Sequence, residues 1–312
     1  MMTTYLYILL YAAAAVFLVA CIVRAVGYAK LPLHLRWELY PVPHEAKGRA
    51  QHGGSYFEDP DWWTKRQETN RPGELRFMLT EILFLRALWE FRRKMWYRSY
   101  AFHLGLYLLI AAAVGVAAGA ILSFVSPGLW DGPTGTIFHH LYTFAGAAGA
   151  ALTIVGAVAL LVARLTEEDL KRYTTAGDIF NLVFFIATVG FLVAGYVFRP
   201  ENSLKAVEFV RGVATFNTDL QIPLVLEVGL VLGALLTAYI PMTHMAHFIA
   251  KYFTYHNVRW DDEANRRGTG LERKLAEYLT YRPTWAATHV GADGVKSWAD
   301  IATTNPAQGG KK

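Results

Sequence analysis

Apolar residues run along this chain in long blocks, separated by polar stretches of mixed charge. A bilayer core about 30 Å thick needs roughly 20 residues of apolar helix. Blocks of that length occur five times, at residues 5–26, 100–125, 138–162, 179–198 and 222–248. The pattern predicts an all-α integral membrane protein with five transmembrane helices. No basic residue precedes the first apolar run and Arg24 comes only at its far end, so that block reads as a span and not as a secretory signal.

The stretches between the blocks differ in kind. Residues 31–71 are rich in Pro, Gly, Trp and mixed charge and read as irregular structure. Residues 74–98 read as an amphipathic helix, because Leu75, Met78, Ile82, Leu85 and Trp89 recur at three- and four-residue steps among Arg76, Glu81, Arg86 and Glu90. Such a helix either lies in the lipid interface or docks a partner protein. After Tyr255 the chain turns polar, with Trp260, Trp285 and Trp298 spaced along it. Aromatic anchors of that kind suit a tail laid across another subunit, and an independently packed flap is the alternative. Residues 303–312 read as disordered.

Charge orients the spans. Residues 24–98 carry 14 Lys and Arg, the connection around Arg164, Lys171 and Arg172 carries three, and the tail from Lys251 carries ten. The opposite side has only Arg199, Lys205 and Arg211, a split of 27 against three. The positive-inside rule then puts the N-terminus outside, the C-terminus in the cytoplasm, and both the long first loop and the C-terminal tail on the cytoplasmic side. The net charge of +5 is thus a topology signal. A nucleic-acid partner is excluded, because basic residues are interleaved with Glu58, Asp59 and Asp61 and no recognition motif accompanies them.

With 54% hydrophobic and 18% charged residues, ten histidines and one cysteine, the composition narrows the chemistry. Iron-sulfur clusters need about four thiolates, a c-type haem needs a C-x-x-C-H run and a disulfide needs a pair. Cys21, inside the first span, supplies none of these and reads as a small core residue.

Ionisable residues within spans are costly and point to function. They are His103, His139, His140, His244, His247 and Glu227. His34, His44 and His52 fall in the first loop and His256 and His289 in the tail, where solvated or locally bonded histidines are expected. His103 lies about one turn inside the cytoplasmic end of the second span, and His244 and His247 lie at a similar depth in the fifth. An imidazole on each of two helices at one depth is what a bis-histidine b-type haem requires; histidines bonded to nearby carbonyls at the headgroup level are the alternative. His244 and His247 are three residues apart and share a helix face, so one faces the iron and the other is left for a haem propionate or an interfacial group. Pro241, one turn earlier, predicts a kink.

His139 and His140 open the third span on the outer side. They either cap that helix at the interface or serve a quinol site, where an imidazole accepts a proton released on oxidation. Glu227 and Asp219, near the same face, would extend the proton path. Gly115 and Gly119 form G-x-x-x-G in the second span, and residues 145–151 of the third are crowded with Ala and Gly, so close helix packing is expected at both.

Taken together, F-H-L-G at 102–105, H-M-A-H-F-I-A-K-Y-F-T-Y-H at 244–256 and five spans with the N-terminus outside resemble the cytochrome b gamma subunit of respiratory nitrate reductase. The long first loop and tail are more similar to its relatives in complexes with heterodisulfide-reductase-like iron-sulfur subunits, including the membrane subunits of the sulfite-reductase-associated and type II tetrahaem cytochrome c complexes. The resemblance covers roughly residues 1–256. It implies haem b held between the second and fifth spans, the cytoplasmic-side haem by His103 and His244, with His247 as the alternative axial ligand or a propionate contact. The family's outer haem would take ligands at Ala113 and near Leu226, so one haem is expected, and two only if His139 or His140 supplies a ligand.

The resemblance further implies quinol oxidation, of the menaquinone type, near the outer side, which favours His139 and His140. It implies a cytoplasmic iron-sulfur partner of the heterodisulfide-reductase type, and a periplasmic cytochrome c or further membrane subunits. The expected organisation is a first span at 1–26, a cytoplasmic loop at 27–99, a four-helix haem-binding domain at 100–256 and a partner-binding tail at 257–312. The chain is expected in the cytoplasmic (inner) membrane of a bacterium or archaeon, as the quinone-reacting subunit of an oxidoreductase that is inactive alone. The competing classes are a proton- or solute-conducting subunit and a membrane anchor without a redox cofactor.

Overall fold

The computed structural model describes residues 2–31, 45, 59–65, 70–200, 204–259, 267–284 and 290–304. His34, His44, His52, His289, Trp260 and Trp285, most of the 31–71 stretch and residues 305–312 lie outside the described residues. The described elements are helices, in order α1 (Met2–Ala29), α2 (Arg71–Phe84), α3 (Arg86–Phe91), α4 (Arg93–Val125), α5 (Pro133–Thr166), α6 (Ala176–Val197), α7 (Ala206–Thr215), α8 (Leu224–Tyr239), α9 (His247–Phe253), α10 (Gly270–Leu279) and α11 (Trp298–Thr303). Five stretches are long and apolar enough to cross a membrane: α1, α4, α5, α6 and Leu224–Met242, which extends α8. They coincide with the five apolar blocks of the sequence.

Two elements depart from the pattern. The amphipathic stretch 74–98 is not one helix, because Leu85 adopts a left-handed backbone at φ 50° and separates α2 from α3. Glu81 bridges the break, accepting the Ala87 N–H at 3.0 Å and so satisfying a donor at the start of α3. The fifth block also stops early. Pro241 lacks the N–H that a continuing helix would need, and the chain passes through two 3₁₀ turns, Ile240–Met242 and His244–Ala246, before α9 begins at His247. Pro241 thus ends the regular helix where a kink was expected.

The chain divides into two compact units, one of Met1–Arg24 with Leu75–His247 and the other of Ala25–Glu74 with Phe248–Lys312. In the first, α4 and α5 pack backbone to backbone. A Cβ added at Gly105 would strike the Thr153 main chain, one at Gly156 would strike Phe102, and one at Gly149 would lie 2.8 Å from the Leu109 nitrogen. The contact is therefore made by Gly105, Gly149 and Gly156. The expected pair also packs closely: Gly115 receives the Tyr142 Cβ of α5, 3.0 Å from its own Cβ position, and Gly119 receives the Trp130 ring. Between α6 and α8, Gly195 meets the Leu226 main chain and Gly229 that of Leu192. Around these approaches a core of Phe102, Ala157, Leu160, Leu182, Phe185 and Leu236 joins four spans.

Hydrogen bonds hold α1 at both ends. Thr3 donates to the Leu220 carbonyl at 3.1 Å, Tyr7 to that of Asn217 at 2.9 Å and Tyr11 to that of Val213 at 2.6 Å. At the other end the Arg24 guanidinium donates to the carbonyls of Pro241 at 3.1 Å and Met242 at 2.8 Å. These carbonyls are among those the break after α8 leaves without helical partners. Arg24→Ala is expected to lower stability by on the order of 1–2 kcal/mol, a charged hydrogen-bond pair reduced by partial exposure. Thermal unfolding of the purified protein in detergent checks this, and an unchanged midpoint would refute it.

In the second unit His256 is buried, not solvated. Its Nε2 lies 3.5 Å from Glu74 Oε1, and its ring centroid 4.2 Å from that of Tyr252. Residues Thr254–Arg259, which contain it, are π-helical. The tail forms α10 and α11, linked where the Trp298 N–H donates to the Tyr281 carbonyl at 3.0 Å.

Candidate functional site

His103 sits in the third turn of α4, one turn after Ser99. Its Nδ1 lies 2.7 Å from the Ser99 carbonyl and 3.3 Å from the Ser99 hydroxyl. A carbonyl only accepts, so Nδ1 carries a proton, and in the neutral ring the lone pair is on Nε2. Behind the ring, Phe102 packs edge-on against Phe185 with centroids 5.1 Å apart, which fixes this turn of α4 against α6.

The second imidazole comes from just beyond the fifth span. Past Pro241, the Thr243 hydroxyl accepts the Met245 N–H at 3.2 Å and starts a 3₁₀ turn that ends at His247. There His247 Nδ1 lies 3.2 Å from the His244 carbonyl. A carbonyl only accepts, so here too Nδ1 is the donor. The rings of His103 and His247 have centroids 6.1 Å apart and planes inclined by 66°. A metal bonds an imidazole nitrogen at about 2 Å, and that nitrogen lies about 1 Å from the ring centre, so two imidazoles sharing one metal have centroids roughly 6 Å apart. A second nitrogen bonded to a carbonyl is also the usual support for a ligating histidine.

His244 is directed elsewhere. Its side chain is 64% exposed and its Nε2 lies 3.6 Å from Asp178 Oδ1 at the start of α6. Asp178 also closes a capping box with Thr175 and stands 3.7 Å from Arg164 at the end of α5. Nearby in the chain, Arg98 pairs with Glu167 at 2.6 Å. The hydrogen bond from that guanidinium holds the Glu167 carboxyl below the ordinary carboxylate range. Asp178 was not singled out from sequence, and Arg164 only as a charge that orients the spans. The signal was present in the Thr-x-x-Asp pattern at 175–178, which marks a helix start.

The other end of the bundle holds His139 and His140, both exposed, at the seventh and eighth residues of α5. Their rings are 5.8 Å apart, and the His139 ring is 5.3 Å from that of buried Tyr142. Neither Glu227 nor Asp219 forms an ion pair with them among the described residues; the Asp219 main chain instead donates to the Asn217 side chain at 3.1 Å. Ala113 and Leu226 bring no nitrogen ligand to this end.

Five apolar helices, with an imidazole from the second span meeting one from the helix just past the fifth, define a polytopic membrane protein with a histidine-lined site. Residues 88–261, more than half of the chain, match the family described as nitrate reductase gamma subunit, and the chain belongs to that family. Its members are haem b membrane subunits of respiratory complexes and interact with quinol. The match includes His103, His139, His140, His244 and His247 and stops before α10. A comparison with curated proteins finds no match.

Proposed function

We propose that the chain is a haem b subunit that carries electrons between the quinone pool and an iron-sulfur subunit on the cytoplasmic side of a bacterial or archaeal inner membrane. The observation that supports this best is the His103–His247 pair, 6.1 Å apart with each Nδ1 on a backbone carbonyl. Among the described residues no three His, Cys, Asp or Glu side chains gather as ligands for a bare metal ion. A porphyrin brings its own equatorial nitrogens, so two imidazoles suffice for it. His103 and His247 would therefore hold the haem iron, with His244 as the alternative to His247. When bound, haem b supplies a one-electron ferric–ferrous couple. The protein's part is positional. The Ser99 carbonyl fixes the tautomer of His103, the His244 carbonyl that of His247, and Arg24 holds the turn on which His247 stands. The His244–Asp178 contact keeps the second imidazole away from the pair.

At the opposite end, His139 and His140 are the groups we assign to quinol, of the menaquinone type. Oxidation of a quinol releases two electrons and two protons, and an exposed imidazole is suited to take a proton and return it to water at that surface. The positive-charge split argues that this end is outside and that both termini of α4 and α5 near His103 are cytoplasmic. Because one cysteine cannot hold a cluster, the iron-sulfur centres belong to another chain, of the heterodisulfide-reductase type that the resemblance implies.

A reduced-minus-oxidised absorption spectrum of the purified protein tests this reading, together with a pyridine haemochrome count. Bands of b type and one haem per chain are expected; a spectrum without them would reject it. A double His139→Ala and His140→Ala variant is expected to keep those bands yet slow haem reduction by added quinol by on the order of 100-fold or more, the usual range for losing acid–base catalysis. Stopped-flow absorbance measures the rate, and an unaltered rate would remove these residues from the quinol step.

A further inference from the structure

We propose that residues 75–94 lie in the lipid headgroup layer on the side where α4 begins and bind an anionic phospholipid through Arg92, Arg93 and Lys94. The C-terminal part of α2 is built the reverse of a soluble amphipathic helix. Leu75, Leu79, Ile82 and Leu83 recur at steps of four, three and one, so they form one stripe, and all four are exposed, Leu75 by 60%. On the opposite side Glu81 is 4% exposed and is engaged with the Ala87 N–H. The Glu81 carboxylate thus faces the protein while four aliphatic side chains face outward, as expected of a surface bathed in lipid.

The segment is tied to a span. Trp96 Nε1–H donates to the Phe84 carbonyl and the Tyr107 hydroxyl to the Ile82 carbonyl, each at 2.7 Å, and both donors belong to α4. The outward stripe therefore continues the lipid-facing surface of α4. Beside it Trp89 and Trp96 lie 4.7 Å apart, Trp96 stacks on Tyr100 at 4.5 Å, and Tyr97 lies 5.2 Å from Trp96. Aromatic clusters of this composition concentrate at the membrane–water boundary.

Charge selects the lipid. Arg92, Arg93 and Lys94 are exposed at the head of the span. Arg93 lies over the Trp89 ring at 4.6 Å, and neither Arg92 nor Arg93 forms an ion pair among the described residues. A cation cluster immediately beside a transmembrane helix attracts anionic headgroups. Outward apolar stripe, aromatic girdle and cation cluster coincide at one level of one span, and a lipid surface satisfies all three.

The test uses the full chain in vesicles of phosphatidylcholine with about a third phosphatidylglycerol, a fraction at which anionic-surface attraction operates. A fluorophore is attached at Leu83→Cys in a Cys21→Ser background. Quenching by lipids carrying a nitroxide near the headgroup, and protection from aqueous iodide, are expected. Quenching by iodide without quenching by nitroxide lipid would overturn the proposal and leave the face to a protein partner. The variant Arg92→Gln/Arg93→Gln/Lys94→Gln is then compared with the parent for the ratio of phosphatidylglycerol to phosphatidylcholine retained on purification. A fall of roughly tenfold or more is expected from the loss of three charges; an unchanged ratio would overturn the anionic-lipid assignment.

Discussion

Alanine at position 247 is expected to abolish the b-type absorption of the purified protein, whereas alanine at position 244 leaves most of it. The two histidines are three residues apart, and sequence spacing alone gives them similar claims. The structure separates them by what each ring touches. His247 lies 6.1 Å from His103 with its Nδ1 on a carbonyl, while His244 is directed to Asp178 at 3.6 Å. Losing the hydrogen-bond partner behind a ligating histidine typically lowers metal affinity about 10–100-fold, and if His247 holds the iron its loss removes a bond to the metal itself, so the effect of His247→Ala is expected to exceed that range. His103→Ala should match it. His244→Ala removes a side chain but not the carbonyl that holds His247, so a modest effect is expected. Haem content per chain, from the absorption of protein purified in parallel, is the measurement. Full haem in His247→Ala together with loss in His244→Ala would reverse the assignment.

Gly105→Leu is expected to prevent the bundle from assembling. A Cβ at this position would meet the Thr153 main chain and lie 2.8 Å from the Gly149 carbonyl oxygen, both on α5. Neither neighbour is the tip of a flexible side chain, so α4 and α5 would have to move apart along their closest line. Overpacking a close-packed site costs about 1–3 kcal/mol when side chains can shift and more when backbone must. For a protein with a total stability of about 5–15 kcal/mol that is a large fraction, and His103 lies only two residues away. Gly190→Ala is the control, since a Cβ there meets nothing within 4 Å. Monodisperse yield in detergent and the thermal midpoint compare the two; equal behaviour would mean that α4 and α5 are not held by backbone approach.

Much of this architecture is legible from hydrophobic blocks, because the lipid requirement for about 20 apolar residues is coarse and survives local irregularity. His103 was singled out from sequence, but its hydrogen bond to the Ser99 carbonyl was not. Three further features were not fully legible. Helix-face reasoning could not separate His244 from His247, because it assumes one continuous register, and Pro241 cancels that register before either residue. Of the glycines that set the α4–α5 contact, Gly149 lies in the Ala- and Gly-rich run at 145–151 where close packing was expected, whereas Gly105 and Gly156 were not singled out. Gly105 stands alone in its turn and pairs with Gly149 and Gly156 on another helix, whereas the spacing rule looks within one helix. The reversed sidedness of α2 was also invisible, since an amphipathic pattern gives the stripe but not which way it faces. Glu81 turns inward because Leu85 breaks the helix and exposes the Ala87 N–H for it to accept.

The interruption after α8 changes how this site can vary through descent. In an unbroken helix each inserted or deleted residue rotates everything beyond it by about 100°, so the direction of a ligand would depend on every residue of the span before it. Here the turn from Pro241 to His247 is pinned from α1 by Arg24 and capped by Thr243, and it sets its own direction. The fifth span can lengthen or shorten ahead of Pro241, to suit a thicker or thinner bilayer, while the imidazole at 247 keeps its aim.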